Sequence, residues 1–506
     1  MRIPSLPGWL RPQSVRRSPV SSRIQPDIPT GGMAKLAKDA GWALAGRVLS
    51  KVAAVVVIAT LARALDRADL GRYLLILSVA GGFSLLADMG VSQAVVVLVA
   101  RVDTEADRSL ALRTVAAAWH VVLLGGAAAC ILAATPIGRG LVGLLGGGTG
   151  QTVSLGLGVM VGLLAIAKAA QLLAGEMFRG FGDVRAASLH GELLPSVTMA
   201  MGMVAAALIL PSLALPAALG IATLAPALMV GVSSLAFRRA YGHGASAAEA
   251  RTSRADRYLP SSKIAVLRTS WPLLGHRLAM YVATQMDLWV VGALLGASAI
   301  AGYGAAAKLL ILIDLPLVVV NLALAPRIAR YLHEGRDVEL QDEIRRVATF
   351  VGLLGWIGLA VVVLARAPLL DVVFGPGYSA TAGQVLTILA VGHAVFYWSG
   401  PSAMTLIMGG QQQLLLWISI LSAGMIAGLA ILFGEAVGIR GVALAAASGT
   451  IVHNSLTWWG VKQRLRLRTD VRIGALRELS VGLRQFIPGP GGRRKRDPTE
   501  DRNSCS

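Results

Sequence analysis

Long apolar stretches separated by short polar connectors make up most of this chain. A helix needs about 20 consecutive apolar residues to cross the hydrocarbon core of a bilayer. Runs of that length predict twelve helices, at 41–65, 73–100, 114–136, 152–175, 187–210, 213–237, 270–297, 300–326, 346–366, 381–408, 411–434 and 438–462. The pattern therefore predicts an all-α polytopic membrane protein with about 12 transmembrane helices.

The composition agrees with the pattern. Of the 506 residues, 55% are hydrophobic and only 15% are charged, and the mean hydropathy is +0.66. Soluble domains contain about 25% charged residues. Most of this chain therefore has lipid as its solvent.

The positive charge predicts an orientation. The formal net charge is +20, and aromatic residues make up only 5% of the chain, which does not favour a nucleic-acid partner. The basic residues are concentrated in 1–40, 101–113, 176–186, 238–268, 327–345 and the tail after 462, whereas the connectors 137–151 and 367–380 carry few. Because basic connectors stay inside, we expect both termini of this multi-pass protein to be cytoplasmic. Arg67 and Arg72, in the first outer connector, fit this rule least well.

The chain divides into five predicted segments. Residues 1–40 are polar and basic and predict a disordered cytoplasmic arm, within which Met33 is an alternative start codon to Met1. The other segments are an N-terminal six-helix lobe at 41–237, a cytoplasmic linker at 238–269, a C-terminal six-helix lobe at 270–462 and a basic cytoplasmic tail at 463–506. The basic end of the tail suits either a topology anchor or anionic lipid headgroups.

The two predicted lobes are related by an internal repeat, in which matching features recur at an offset of about 230 positions. The pentapeptides WALAG at 42–46 and WPLLG at 271–275 open the first and seventh helices. Tyr73 matches Tyr303, Arg179-Gly180 matches Gly409-Gly410, and LRTVA at 112–116 matches IRRVA at 344–348. Because each lobe has an even number of helices, the repeat predicts two pseudo-symmetric six-helix bundles in parallel orientation, with a cleft between them.

Charged residues inside the predicted spans are the candidate functional residues, because burying a charge in lipid is expensive. Arg47 and Lys51 share one face of the first helix, Arg277 is near the repeat partner of Arg47, and Lys308 lies in the eighth helix. If the lobes face each other here, these four cations form a cavity that suits an anion attached to an apolar tail. Snorkelling of the arginines towards lipid phosphates, and ion pairs between helices, remain alternatives.

Four acidic residues in the spans are candidates for ion coupling or for ion pairing with those cations: Asp88, Glu192, Asp287 and Asp314. No catalytic residues or cofactor site are predicted. Gly146–Gln151 lacks the Gly-Lys-Ser/Thr end of a phosphate-binding loop, so an ion gradient, the membrane potential or the substrate gradient must supply energy. Cys130 and Cys505 provide neither a disulfide framework nor a metal site.

Four stretches resemble bacterial polysaccharide flippases of the multidrug/oligosaccharidyl-lipid/polysaccharide exporter superfamily. They are TQMDLWVVGALLGASAIAGYGAAAKLL at 284–310, APRIAR at 325–330, FGPGY at 374–378 and LLADMGVSQA at 85–94. The resemblance covers about 41–462. It implies a V-shaped pair of six-helix bundles, a central cationic cavity and rocking between inward-open and outward-open states.

The resemblance also implies a substrate, an undecaprenyl-pyrophosphate-linked oligosaccharide, and a role in polysaccharide export or cell-surface glycan assembly. Membrane lipids, a polysaccharide polymerase and glycosyltransferases are the expected partners. A lipid II flippase and a cation-coupled multidrug exporter of the same superfamily remain alternatives. A membrane glycosyltransferase is a further one, but Asp66 and Asp69 in the first outer connector are interpreted as turn and cap residues.

Overall fold

A computed structural model describes residues 30–99, 105–145, 153–210, 212–241 and 263–472. Within these ranges the chain forms helices and no β-strand. The first half contains α1 (Thr30–Ala64), α2 (Arg67–Asp88), α3 (Val91–Val99), α4 (Glu105–Ala134), α5 (Pro136–Leu145), α6 (Leu155–Gly180), α7 (Val184–Ser188), α8 (Leu194–Ile209) and α9 (Leu215–Tyr241). The second half contains α10 (Lys263–Leu295), α11 (Ala297–Glu334), α12 (Asp337–Leu364), α13 (Arg366–Phe374), α14 (Tyr378–Ser399), α15 (Ser402–Met408), α16 (Gln412–Val437) and α17 (Ile439–Arg464).

The all-α polytopic fold class is confirmed. Eleven of the described helices are long and apolar enough to cross a membrane. The twelfth predicted span corresponds to α17, which has 26 residues but is less apolar because it carries polar residues such as His453 and Asn454. Each of the twelve predicted spans thus coincides with one helix or with consecutive helices.

Three predicted spans are interrupted. Met89 and Gly90 adopt left-handed conformations, with φ of 50° and 76°, and divide the second span into α2 and α3. A π-helical turn at Leu189–Leu193 connects α7 to α8 in the fifth span. In the tenth span, Gly400 has a φ of +63° and Pro401 has no backbone N–H, so the helix stops at Ser399 and restarts at Ser402.

Several helices extend beyond their predicted ends. Helix α1 begins at Thr30, inside the segment 1–40 for which the sequence predicts disorder, and α10 begins at Lys263, inside the predicted linker 238–269. Helix α2 begins at Arg67 rather than at 73, because Asp66 caps it by accepting a 2.7 Å hydrogen bond from the N–H of Asp69. Residues 1–29, 242–262 and 473–506 lie outside the described residues.

The segment 465–472, which we call the C-terminal strap, packs against the second half without regular secondary structure. Leu467, Thr469 and Val471 are buried, at relative exposures of 2%, 0% and 8%. The strap runs past the break between α14 and α15, where the N–H of Val471 donates to the carbonyl of Trp398 at 3.1 Å. The predicted tail 463–506 therefore begins with a packed element rather than with a free one.

The internal repeat is visible in the placement of the helices. Helices α2 and α11 begin at Arg67 and Ala297, which are separated by the offset of the sequence repeat. Two short helices that the hydrophobic pattern did not predict, α5 and α13, begin at Pro136 and Arg366, again at that offset. The two halves therefore correspond in the starts of these helices and in their short connector helices, whereas the interruptions of the spans differ between them.

The two halves meet along α2, which packs against α10 and α11. Gly71 lies against the backbone of Ala297, and a side chain there would overlap the carbonyl oxygen. We call the end where α1 passes into α2 the outer end, following the predicted orientation, and the opposite end the inner end. At the outer end the Arg67 guanidinium donates to the carbonyl of Gly377 at 2.8 Å, and Arg63 donates to the carbonyl of Val372, so the halves are joined there.

Candidate functional site

A cavity of about 360 Å³ lies between the two halves. Residues of α1, α2, α6 and α8 line it from the first half, and residues of α10 and α11 line it from the second. Its position at the junction of the two repeats is the one that the sequence predicts for a transport cavity.

Corresponding residues of the two halves line the cavity. Seven pairs of lining residues are each separated by the offset of the repeat: Ala54 and Thr284, Val57 and Asp287, Ile58 and Leu288, Tyr73 and Tyr303, Leu74 and Gly304, Leu77 and Ala307, Ser78 and Lys308. The pseudo-twofold axis that relates the halves therefore passes through the cavity.

The wall is symmetric in position but not in chemistry. The second half contributes Asp287 and Lys308 at places where the first half contributes Val57 and Ser78. The first half adds one charge of its own, Lys168 on α6. A ligand in this cavity therefore meets charged groups mainly from α10, α11 and α6, and an apolar surface from α1.

Two lysines give the cavity positive charge. The Lys168 ammonium donates to the carbonyl of Leu77 at 3.3 Å. Neither Lys168 nor Lys308 forms an ion pair with any acidic group that the structure describes. Lys308 belongs to the predicted cationic set, whereas Lys168 does not, although its position inside the predicted span 152–175 was visible in the sequence. Both ammonium groups can donate hydrogen bonds to an anion.

Asp287 and two tyrosines complete the polar surface. The Tyr303 hydroxyl donates to the Asp287 carboxylate at 2.7 Å. The equivalent Tyr73 is buried, and its hydroxyl has no hydrogen-bond partner among the described residues, since Val57 occupies the place that corresponds to Asp287. A buried hydroxyl without a partner is costly, so it is available to a ligand.

Arg47 and Lys51 of the predicted set lie towards the inner end of α1. Arg47 forms a 3.4 Å ion pair with Glu192, which the π-helical turn between α7 and α8 presents to α1. Lys51 is exposed and lies about one turn from the cavity-lining Ala54. Lys51 thus borders the cavity, whereas the charge of Arg47 is compensated.

Arg277 is also compensated, by an acidic group of the other half. Its guanidinium lies 3.1 Å from the Asp88 carboxylate, with side-chain exposures of 20% and 1%. Asp88 in addition accepts hydrogen bonds from the N–H and the hydroxyl of Ser92. The pair connects α10 to the junction of α2 and α3 on the inner side of the cavity.

A polar network connects the halves in the cavity wall itself, where Ser78, Tyr281 and Gln285 are lining residues. The Ser78 hydroxyl donates to Gln285 Oε1 at 2.6 Å and accepts from Trp289 Nε1 at 2.9 Å. The Tyr281 hydroxyl donates to the Ser78 carbonyl at 2.6 Å. Sequence reasoning did not select these residues, because uncharged polar side chains in a span give no strong signal.

Asp314, the last of the predicted acidic residues, forms no ion pair with any of the four predicted cations among the described residues. Its carboxylate accepts hydrogen bonds from His393 Nδ1 at 3.1 Å and from the Tyr397 hydroxyl at 2.8 Å. Among the described residues no group of three or more His, Cys, Asp or Glu is placed to hold a metal ion.

Comparison with known proteins identifies the family. The model of the polysaccharide biosynthesis protein family matches residues 36–332, which is more than half of the chain. The MatE family model matches residues 272–431. No curated protein is significantly similar to this chain in sequence.

Several solved structures share the fold. An inward-facing multidrug resistance MATE family transporter of the MOP superfamily is 18% identical over 85% of this chain and 96% of that chain, with a TM-score of 0.67. The lipid II flippase MurJ in an inward closed conformation is 12% identical over 88% and 93%, with a TM-score of 0.64. A MOP superfamily transporter from Pyrococcus furiosus is 16% identical over 85% and 95%, with a TM-score of 0.56. The family match shows that the chain belongs to the polysaccharide biosynthesis protein family, and the solved structures show that it shares their fold.

Proposed function

We propose that this protein moves an undecaprenyl-pyrophosphate-linked oligosaccharide across the bacterial cytoplasmic membrane by alternating access, with both termini cytoplasmic. The observation that carries the proposal is the pair Lys168 and Lys308, two cations without acidic partners among the described residues, in one cavity between the halves. A cation in such a place needs a counter-charge, and an anionic substrate supplies it.

The division of the cavity wall fits an amphipathic anion. Lys168 and Lys308 can bind a pyrophosphate, and the free hydroxyl of Tyr73 can bind a phosphate or sugar oxygen. The apolar surface of Val57 and Ile58 on α1 suits the isoprenoid chain beside the headgroup. Enzymes that build the lipid-linked oligosaccharide and a polymerase that consumes it are the partners that this function requires.

Transport in proteoliposomes tests the role of the two lysines. The probe is a labelled undecaprenyl-pyrophosphate-linked oligosaccharide, and the readout is its accessibility to an external glycosidase. Lys168→Gln and Lys308→Gln should each slow translocation by about tenfold or more, because a hydrogen bond to a charged group contributes roughly 1.5–3 kcal/mol. Lys168→Arg and Lys308→Arg should retain more activity.

Lys462→Gln is the matched control. Lys462 lies at the inner end of α17, with its ammonium 5.5 Å from the centre of the Trp458 ring and away from the cavity. This variant should translocate at the wild-type rate. Wild-type transport of lipid II or of a cationic dye, without transport of the oligosaccharide probe, would replace the proposal with one of the two superfamily alternatives.

A further inference from the structure

The outer end of the protein carries two cations that do not line the cavity between the halves, Arg63 on α1 and Arg67 on α2. Their guanidinium groups donate to backbone carbonyls of the second half, at Val372 and Gly377, and we call these two bonds the arginine latch. Neither arginine forms an ion pair with an acidic group that the structure describes. A carbonyl carries only a partial charge, so no full negative charge in direct contact compensates either guanidinium.

A groove of about 410 Å³, which we call the outer groove, lies beside Arg63 at the outer ends of α1 and α8. Thr60 and Ser212 contribute polar side chains to it, and Leu208 and Leu213 contribute apolar ones. Leu208 is 81% exposed, so the groove opens on the lipid-facing surface of the first half. The described walls of the groove and of the cavity share no residue. The outer groove therefore combines a cation and hydroxyl groups with an apolar opening.

Helix α1 connects the outer groove to the cavity. Val57 lines the cavity, and Ala64, which is seven residues further and so on the same face, lines the groove. Two helical turns separate these positions, which is about 10 Å along the helix axis. The groove therefore lies along α1 on the outer side of the cavity.

The second half has no counterpart of this cation among its described residues, since the repeat places Ala293 opposite Arg63. The equivalent junction, between α5 and α10, is closed by direct packing. A side chain on Gly292 would overlap the carbonyl oxygen of Leu145 there. The outer end is thus closed on one side by backbone packing and on the other by arginine side chains, which can change partners.

The hydrogen bond of Arg63 exists only while the halves are joined at the outer end, because its acceptor, the carbonyl of Val372, belongs to α13. When the outer ends separate, the guanidinium loses this acceptor and needs another one, since a cation without a partner is costly beside lipid. A pyrophosphate offers full negative charges and the bidentate geometry that suits a guanidinium. The hydroxyls of Thr60 and Ser212 can donate further hydrogen bonds to the same anion.

We propose that Arg63, Thr60 and Ser212 form an exit site that binds the pyrophosphate of the lipid-linked substrate when the halves separate at the outer end, an inference that rests on the proposed function. The isoprenoid chain remains in the lipid beside Leu208. The pyrophosphate and the Val372 carbonyl compete for one guanidinium. Bound substrate therefore stabilises the separated state, and its release lets the outer end close again.

Arg67 belongs to the arginine latch but not to the exit site. It donates to the Gly377 carbonyl at 2.8 Å, and its guanidinium lies 5.3 Å from the centre of the Tyr378 ring. It does not line the outer groove. Mutation of Arg67 therefore weakens the latch alone, whereas mutation of Arg63 removes a latch bond and the exit site together.

Spin labels on Ile137→Cys and Leu364→Cys report the separation of the outer ends, because these residues lie in different halves and are 80% and 83% exposed. The parent for this experiment is the labelled full-length protein with Cys130 and Cys505 replaced by Ala. Nanodiscs of phosphatidylcholine are compared with nanodiscs that also contain phosphatidylglycerol or the undecaprenyl-pyrophosphate-linked oligosaccharide. The oligosaccharide probe should increase the separated population of the parent, and phosphatidylglycerol should not.

Two variants distinguish the exit site from the latch. Arg63→Gln and Arg67→Gln should both increase the separated population in phosphatidylcholine alone, because each removes one latch bond. Arg63→Gln should then need about tenfold more oligosaccharide probe than Arg67→Gln for half of its response, because it alone loses a hydrogen bond between charged groups. Arg63→Lys keeps the charge and should need an intermediate amount.

Arg440→Gln is the matched control. Arg440 lies at the outer start of α17, where it donates to Gln384 at 2.6 Å, outside the latch and the outer groove. This variant should have the distance distribution of the parent in all three lipid mixtures.

Several results would overturn the exit site. They are an equal probe response of Arg63→Gln and Arg67→Gln, a parent that translocates the oligosaccharide without any change in separation, and an equal response of the parent to phosphatidylglycerol, which would identify the occupant as a phospholipid headgroup. The failure of the proposed function looks different, because the parent would then neither respond to the oligosaccharide nor translocate it, and the exit site would fall with it.

Discussion

The contacts of a cationic residue in a span show whether an acidic neighbour compensates its charge or whether the charge is available to a ligand. Arg47 and Arg277 have acidic partners, Glu192 and Asp88. Lys168 and Lys308 have none among the described residues. The predicted cationic set is therefore divided by the structure, with two arginines that act in ion pairs, one lysine in the cavity and Lys51 at its border.

Removing one member of the Asp88–Arg277 pair should destabilise the protein. Asp88 is only 1% exposed, and a buried charge that loses its partner costs about 3–5 kcal/mol. Asp88→Asn and Arg277→Gln should each lower the thermal unfolding temperature in detergent. The double variant should be more stable than the sum of the two single effects predicts. Strictly additive effects would show that the two side chains do not interact.

The sequence indicates which residues carry a charge in a span but not which partner each one has. Asp88 and Arg277 lie in different halves of the chain, and Arg47 meets Glu192 only because a π-helical turn interrupts the fifth span. Both contacts depend on the relative rotation of helices, which hydrophobic periodicity does not determine. Ser78, Gln285 and Trp289 were missed for a related reason, since their importance comes from meeting one another.

At the scale of the helix, the lengths were predictable and the interruptions were not. Lipid thickness sets the number of apolar residues in a span, and that number can be read from the sequence. The helix can be interrupted at Gly400 only if other groups donate hydrogen bonds to the carbonyls that lose their helical partners. Here the C-terminal strap supplies them, since the Thr469 hydroxyl and the N–H of Val471 donate to the carbonyls of Ser399 and Trp398.

The C-terminal strap should be needed for stability. Burying a large apolar side chain contributes about 1.5–3 kcal/mol, and Leu467 and Val471 are both buried. Truncation after Arg464 also removes the 3.0 Å ion pair between Asp470 and Arg345. This truncation should lower the unfolding temperature more than truncation after Arg472 does, because the longer protein keeps the strap. Equal stability of the two truncated proteins would contradict a structural role for the strap.

At the scale of the whole molecule, the repeat was the most informative feature of the sequence. A nearly constant offset between matching stretches predicts two equivalent halves, and the seven matched pairs in the cavity wall follow the same offset. The exceptions to the equivalence, Asp287 opposite Val57 and Lys308 opposite Ser78, are the positions that give the cavity its chemistry. The repeat shows which positions correspond, and the charged groups of the cavity stand at corresponding positions where the two halves differ.

A disulfide between the halves should stop transport if the halves rock against each other. A Cβ atom added at Gly304 would lie 3.9 Å from Leu74 Cγ. Leu74→Cys with Gly304→Cys can therefore form a disulfide that joins α2 to α11. Cys130 and Cys505 are replaced by Ala in the protein used for this experiment. Oxidation should abolish translocation, and reduction should restore it.

The control joins α15 to α17 inside the second half through Ser402→Cys and Thr457→Cys, because the hydroxyls of Ser402 and Thr457 are 3.0 Å apart. That disulfide should leave transport intact, because it lies within a unit that moves as one body. Full transport by the oxidised Leu74–Gly304 variant would contradict alternating access by movement of the two halves.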